Sequence, residues 1–224
     1  MAGAGPKPCW RSPKASRAPS QAATRARRVV IGYLGSPEQG IALAAWLRRM
    51  QAVNPALRVQ IDPVIGDHDY GVYTDPALLP VWRDHLLPLA EGLCPNHFEL
   101  GKLAGRSPRT LDDCMDAASA LLSDTTRWVV VTSAAPELCP PGRIQVAIVG
   151  EGVREVLEHP LVPHPVKGVG DMFAALIAGR LHKGAALVDA VDRTCNDVVE
   201  VLRHVQAQGW QELALPRHIA RRLD

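Results

Sequence analysis

Apolar and polar positions alternate along the chain between short apolar runs and stretches of helical spacing. Val29-Val30-Ile31 empties into Gly32-Tyr33-Leu34-Gly35-Ser36, and from Pro37 to Met50 the residues Ile41, Ala44, Ala45 and Leu47 recur at helical intervals. A strand followed by a helix is the simplest reading. The pattern then predicts a strand over Val59–Ile65, a helix over Pro76–Ala90, helical stretches over Asn96–Leu103 and Leu111–Leu122, and a strand over Trp128–Ser133. Ile144–Gly150 and Val153–Leu157 can pair as a hairpin across Glu151-Gly152, after which Gly168–Leu181 and Ala185–Gln206 read as closing helices. Strands separated by helices imply an α/β fold, a mostly parallel central sheet flanked by helices.

Composition narrows the class. The chain has 224 residues, 47% hydrophobic and 21% charged, which suits one globular domain. Few aromatics and plentiful Gly and Pro exclude a fibrous protein. The best apolar runs, Trp128–Ala135 and Ile144–Gly150, are too short to span a bilayer. The formal charge of +2 hides a lopsided distribution, because Lys7, Arg11, Lys14, Arg17, Arg25, Arg27 and Arg28 all precede the first acid. Residues 1–28 are therefore expected to be a disordered basic tail, an organelle leader or an artefact of start-codon assignment, with the folded domain at 29–224. With the tail set aside, 18 basic residues face all 23 acidic ones, which argues against a nucleic-acid partner. Five cysteines, none in a Cys-x-x-Cys pair, suggest neither a disulfide framework nor a zinc ribbon and point to a reducing compartment, the cytoplasm. The eight histidines show no His-x-x-x-His spacing for zinc.

Four segments can carry chemistry. In Gly168-Val169-Gly170-Asp171, two glycines and an acid precede an apolar-periodic helix. Backbone amides at such a helix start can cradle a phosphoryl group, and Asp171 can accept the proton of an attacking alcohol. The alternative is that Asp171 merely caps the helix. Asp62-Pro63-Val64-Ile65-Gly66-Asp67 sets one acid at a strand end and another in the following turn, suited to Mg²⁺ against nucleotide phosphates or to turn formation alone. In Cys94-Pro95-Asn96-His97-Phe98-Glu99, Asn96 and Glu99 share a helical face, where they can orient metal-bound water or form a capping box. Thr132 and Ser133 end an apolar strand with two hydroxyls within reach of phosphates, or form an ordinary turn.

Taken in order, Gly32-Tyr33-Leu34-Gly35-Ser36, Asp62-Pro63-Val64-Ile65-Gly66-Asp67, Pro95-Asn96-His97-Phe98-Glu99-Leu100 and Gly168-Val169-Gly170-Asp171 resemble the pyridoxal kinases of the ribokinase superfamily, over about Val29 to Leu215. The resemblance implies a three-layer α/β/α fold and ATP-dependent phosphorylation of the 5′-hydroxymethyl group of pyridoxal in vitamin B6 salvage, by a homodimer. It implies Asp171 as the base and Gly168, Val169 and Gly170 as the anion hole. It further assigns Asp62, Cys94, Asn96, Glu99, Thr132 and Ser133 to the nucleotide, and Asp67 with Glu99 to Mg²⁺. His159, Pro160, Leu161 and Val162 resemble the segment bordering the nucleotide, and Tyr73 lies near the flap over ATP. The family's opening strand, its Ser-x-x-x-x-Gly stretch and its ring-contacting Thr loop have no counterpart here, so the resemblance implies an N-terminally truncated domain. The expectation is an exposed sheet edge, weak Mg-ATP binding and poor phosphorylation of pyridoxal. Two alternatives stay open: a hydroxymethylpyrimidine kinase, and a non-catalytic nucleotide-binding remnant.

Overall fold

The chain alternates strand with helix as β1 (Arg28–Ile31), α1 (Pro37–Val53) and β2 (Arg58–Ile61), then projects a small hairpin of β3 (Gly66–Asp67) and β4 (Gly71–Val72). Next come α2 (Leu78–Val81), β5 (Gly92–Leu93), α3 (His97–Ala104), α4 (Leu111–Ser119) and β6 (Trp128–Val131). A long hairpin of β7 (Arg143–Gly150) and β8 (Val153–Pro160) leads to helices α5 (Val169–His182) and α6 (Leu187–Gln208). The computed structural model describes residues 26–163, 166–217 and 219–220. The expected tail thus lies outside the described residues up to position 25. Arg28 opens β1, opposite Arg58, and its guanidinium meets Glu91 at 2.6 Å.

The sheet runs β1-β2-β5-β6-β7-β8, with the first four strands mutually parallel and the last two antiparallel. Strand alternation sends Val129 and Val131 to one face and Trp128 and Val130 to the other. On the first face Leu47, Trp82, Leu100 and Ala117 close the core, and on the second Phe173, Ile177, Val191 and Cys195 do. Helices therefore cover both faces, as the sequence pattern implies. A third cluster, with Val162, Val166, Met172, Leu176 and Val201, fills the space beside the first turn of α5. β1 forms one edge of the sheet, and Val30 on it is 39% exposed.

Three boundaries differ from the expected ones, each for a local reason. The helix expected over Pro76–Ala90 is broken into α2, a wide turn over Trp82–Leu86 and a tight turn over Leu87–Leu89. Pro88 has no N–H to give the Asp84 carbonyl, so a regular helix cannot pass through it. β2 stops at Ile61 rather than Ile65: the Asp62 N–H still bonds the Ile31 carbonyl at 2.8 Å, but Pro63 cannot continue the ladder. β6 stops at Val131 because Ser133 turns into left-handed backbone at φ 51°.

β5 is two residues long and sits between β2 and β6, so its fit decides how closely the parallel strands approach. A Cβ on Gly92 would fall 1.9 Å from the Trp128 indole, far inside contact distance. Gly92→Ala is expected to lower stability by about 1–3 kcal/mol through overpacking, read as a drop in the urea midpoint at unchanged slope.

Candidate active site

The four parallel strands end along one edge of the sheet, and the one to three residues after each end build the site: Gly32 after β1, Asp62 after β2, Cys94 to Asn96 after β5, and Thr132 after β6. Carboxyl ends of parallel strands are where open α/β sheets hold ligands. The pairing extends past β5 and β6 through a parallel bridge of Asn96 with Thr132, with the His97 N–H donating to the Thr132 carbonyl at 3.0 Å.

Helix α5 starts over this edge. Gly168 precedes it at φ 87°, a left-handed conformation that a side chain with Cβ rarely adopts, and no side chain caps the helix. The first-turn amides are thus left for a ligand. Asp171 is exposed in that turn and packs close to β1, since a Cβ on Gly32 would lie 3.2 Å from its Oδ1. Asp62 is buried beneath the same turn, where a Cβ on Gly170 would lie 3.6 Å from its Oδ2.

Glu99 and Asn96 form a capping box at the start of α3: the Glu99 N–H donates to Asn96 Oδ1 at 2.9 Å and the Asn96 N–H to Glu99 Oε2 at 2.9 Å. Of the two sequence alternatives for this pair, the capping box is the one this geometry shows. Glu99 Oε1 also accepts from the Ile65 N–H at 2.9 Å and the Gly66 N–H at 3.4 Å, while Asn96 Nδ2 donates to the Gly66 carbonyl at 2.8 Å. The box therefore pins the base of the β3–β4 hairpin. Asp67 folds the hairpin tip by accepting from the Asp69 and Tyr70 amides at 3.0 and 2.8 Å. His68 Nε2 lies 2.8 Å from His97 Nδ1, with the rings stacked, and Lys167 lies over the Tyr70 ring, so the hairpin stands between α3 and the turn before α5.

Electrostatics mark the place where these carboxylates converge. Burial, then the nearby charges of Glu99 and Asp171, raises the Asp62 pKa to about 8. Burial raises that of Glu99 to about 7 against the pull of its three amide hydrogen bonds. Partial burial followed by Glu99, Asp67, Asp62 and Asp171 pushes the Tyr73 phenol upward, which brings a hairpin residue within the field of all four acids. Acids held this way favour a cation or a proton. Among the described residues no three His, Cys, Asp or Glu side chains group closely enough to ligate one ion directly. The geometry fits a hydrated Mg²⁺, which keeps several waters and takes one or two carboxylates beside phosphates.

The remaining expected residues take other positions. Cys94 is buried, its Sγ 3.5 Å from Gln60 Nε2. Thr132 engages its neighbours through its backbone, and Ser133 sits in the strained turn after β6. His159 is buried on β8 with Nε2 3.5 Å from Asp192 on α6. Pro160 ends β8, Leu161 is exposed, and Val162 joins the apolar cluster beside Met172. Two site residues escaped the sequence reading as individuals: Gly32, whose lack of a Cβ leaves room for Asp171, and Gln60, a polar residue inside an apolar strand.

Comparison with known proteins gives the following. The family model for phosphomethylpyrimidine kinase matches residues 22–213. A pyridoxine/pyridoxal/pyridoxamine kinase of Bordetella bronchiseptica is 49% identical over 189 residues, covering 84% of this chain and 67% of the relative. A pyridoxal kinase of Pseudomonas putida is 35% identical over 195 residues, covering 84% of this chain and 66% of the relative. The chain thus spans about two thirds of the length of these curated relatives. Among solved structures, the ADP complex of Bacillus subtilis pyridoxal kinase superposes with TM-score 0.62 at 25% identity over 77% of this chain and 62% of that one. A Leishmania donovani pyridoxal kinase with ADP and pyridoxine shares the fold at TM-score 0.75, with 21% identity over 84% of this chain and 64% of that one.

The raised carboxylate pKa values carry a stability consequence with a definite sign. Between the ordinary aspartate value of 3.8 and about 8, the unfolded chain has released the Asp62 proton while the folded chain still holds it. Stability contributed by this group is then complete below the lower value and lost as pH rises to the upper one. The urea midpoint is expected to fall from pH 5 toward pH 8, and Asp62→Asn is expected to flatten that fall.

Proposed function

Since the chain belongs to the phosphomethylpyrimidine kinase family, among the pyridoxal kinases of the ribokinase superfamily, we propose that it transfers the γ-phosphoryl group of ATP to the 5′-hydroxymethyl group of pyridoxal and related B6 vitamers. The observation that carries this reading is the exposed Asp171 beside an uncapped helix start at the carboxyl ends of the parallel strands, with buried Asp62 beneath it. In the proposed reaction the vitamin hydroxyl attacks the γ-phosphorus, its proton passes to Asp171, and the bond to the β-phosphate oxygen breaks to release ADP. The amides of Val169, Gly170 and Asp171 stabilise negative charge on the transferring oxygens, aided by the partial positive charge of the helix N-terminus.

When bound, Mg²⁺ would neutralise charge on the β- and γ-phosphates. Asp62 and the face of Asp67 not used in its turn would hold its water shell. Glu99, whose oxygens already accept three amides, acts by fixing the hairpin and orienting water. Thr132 and Ser133 border the phosphates, and Cys94 packs behind them. The apolar cluster with Val162 and Val166 makes one wall for the adenine, with Pro160, Leu161 and His159 following along β8 toward it. Tyr73 on the hairpin covers the phosphates. The cytoplasm is proposed from the cysteine spacing of the sequence alone, and no helix among the described residues is long and apolar enough to cross a membrane. The homodimer rests on the resemblance alone, and sedimentation measures it.

A second reading has a specific finding behind it, because the matching family model is described by the phosphorylated pyrimidine. Incubating the purified chain with Mg-ATP and equal concentrations of pyridoxal and hydroxymethylpyrimidine separates the two. Pyridoxal 5′-phosphate as the main product supports the proposal. Product confined to the pyrimidine favours the second reading, and nucleotide binding without either product favours a remnant. For an active chain, Asp171→Asn is expected to lower kcat about 10²–10⁴-fold while leaving the calorimetric affinity for Mg-ADP within a few fold.

A further inference from the structure

Gln60 stands in the middle of β2 with no exposed surface, flanked by Val59 and Ile61, which face the opposite core. A fully buried amide surrounded by apolar side chains costs free energy unless its polar atoms are bonded. Its Nε2 donates to the Ala174 carbonyl of α5 at 2.7 Å and also faces Cys94 Sγ at 3.5 Å, while Oε1 is buried without a partner. The residue thus keeps one strong bond and tolerates an unsatisfied oxygen. Ala174 lies mid-helix, where its carbonyl has a second lone pair to offer beside the helical bond.

The register of this contact matters. Alternation along a strand puts Gln60 and Asp62 on the same face of β2, about 6.7 Å apart. Four residues of helix put Gly170 and Ala174 on the same face of α5, about 6 Å apart. The two spacings match, and the structure uses both rungs: Gln60 against Ala174, and Asp62 against Gly170. Packing alone leaves a helix free to slide along a strand by small amounts, because apolar contacts have no direction. A hydrogen bond to one named carbonyl does not. Asp171, three residues before Ala174, is carried by the same rigid turn.

We propose that Gln60 is a positioning residue: its bond to the Ala174 carbonyl sets the register of α5 on β2 and so places Asp171 and the helix-start amides relative to Asp62. The inference rests on the phosphoryl-transfer reading for its kinetic consequence, but its structural content can be measured separately.

The test uses Gln60→Met, which keeps the unbranched shape and removes the donor, and Gln60→Glu, whose buried carboxyl can donate to Ala174 only while protonated. Hydrogen exchange is measured along α5, with α1 as the internal reference. For Gln60→Met the expected result is at least tenfold faster exchange in the first two turns of α5, less than twofold change in α1, and a kcat lowered at least tenfold with KM for ATP within twofold. For Gln60→Glu, wild-type protection of α5 is expected near pH 6, and its loss as pH rises toward 9 is expected to exceed by at least tenfold whatever fall the wild type shows through Asp62 over the same range. Unchanged exchange in α5, or equal acceleration in α1 and α5, would overturn the proposal, since the first removes the register role and the second leaves only general stability. Should Gln60→Met not fold, the Gln60→Glu pH series decides by the same criteria. If the wild-type chain transfers no phosphoryl group, the proposed function fails, and the exchange results alone decide the role of Gln60.

Discussion

The burial of Asp62 beneath the first turn of α5 is the constraint from which the site follows. A carboxylate at the end of a central strand, with Glu99 and Asp171 near it, sits in a poor place for negative charge. β2 and α5 come together there, a Cβ on Gly170 falling at ordinary contact distance, 3.6 Å, from Asp62 Oδ2, and Gly32 leaves Asp171 room at the neighbouring strand end. Such a site favours a proton or a cation over a further bare negative charge. That is the electrostatic condition the proposed magnesium nucleotide needs.

The same residues serve architecture and chemistry. Asn96 and Glu99 satisfy the start of α3, and by doing so they hold the β3–β4 hairpin, whose Tyr73 feels the carboxylates. The parallel bridge of Asn96 with Thr132 ties this cap to the end of β6. Helix start, hairpin base and strand end are thus one hydrogen-bonded unit at the edge of the sheet. Glu99 contributes to it mainly by accepting amides, which explains why an acid close to Asp62 is kept there at an electrostatic cost.

How much of this could be read beforehand varies with the range of the interaction. Local signals were sufficient for the α/β alternation, for the antiparallel hairpin around Glu151-Gly152, and for the Gly168–Asp171 turn, because each depends on residues adjacent in the chain. Periodicity overran at Pro76–Ala90, since it counts apolar positions and does not register the donor that Pro88 lacks. The segments that carry the candidate residues could be singled out one by one from their motifs, but that these segments meet at one edge of the sheet was visible only through the resemblance. Gln60 was not visible at all: within Val59–Ile61 its partner is 114 positions away, and nothing local distinguishes a bonded buried glutamine from a surface one. Gly32 was visible as a turn glycine, but its proximity to Asp171 is a fact of tertiary packing.

The most direct measurement is a carbon-13 carboxyl titration of Asp62 by nuclear magnetic resonance, in the free chain and with saturating Mg-ADP. Half-ionisation near pH 8 is expected in the free chain, in line with the raised value of about 8, with a clear downward move when the magnesium nucleotide binds. Titration near the ordinary aspartate value in both states would contradict it, for then Asp62 would be neither buried with its neighbours nor facing the nucleotide.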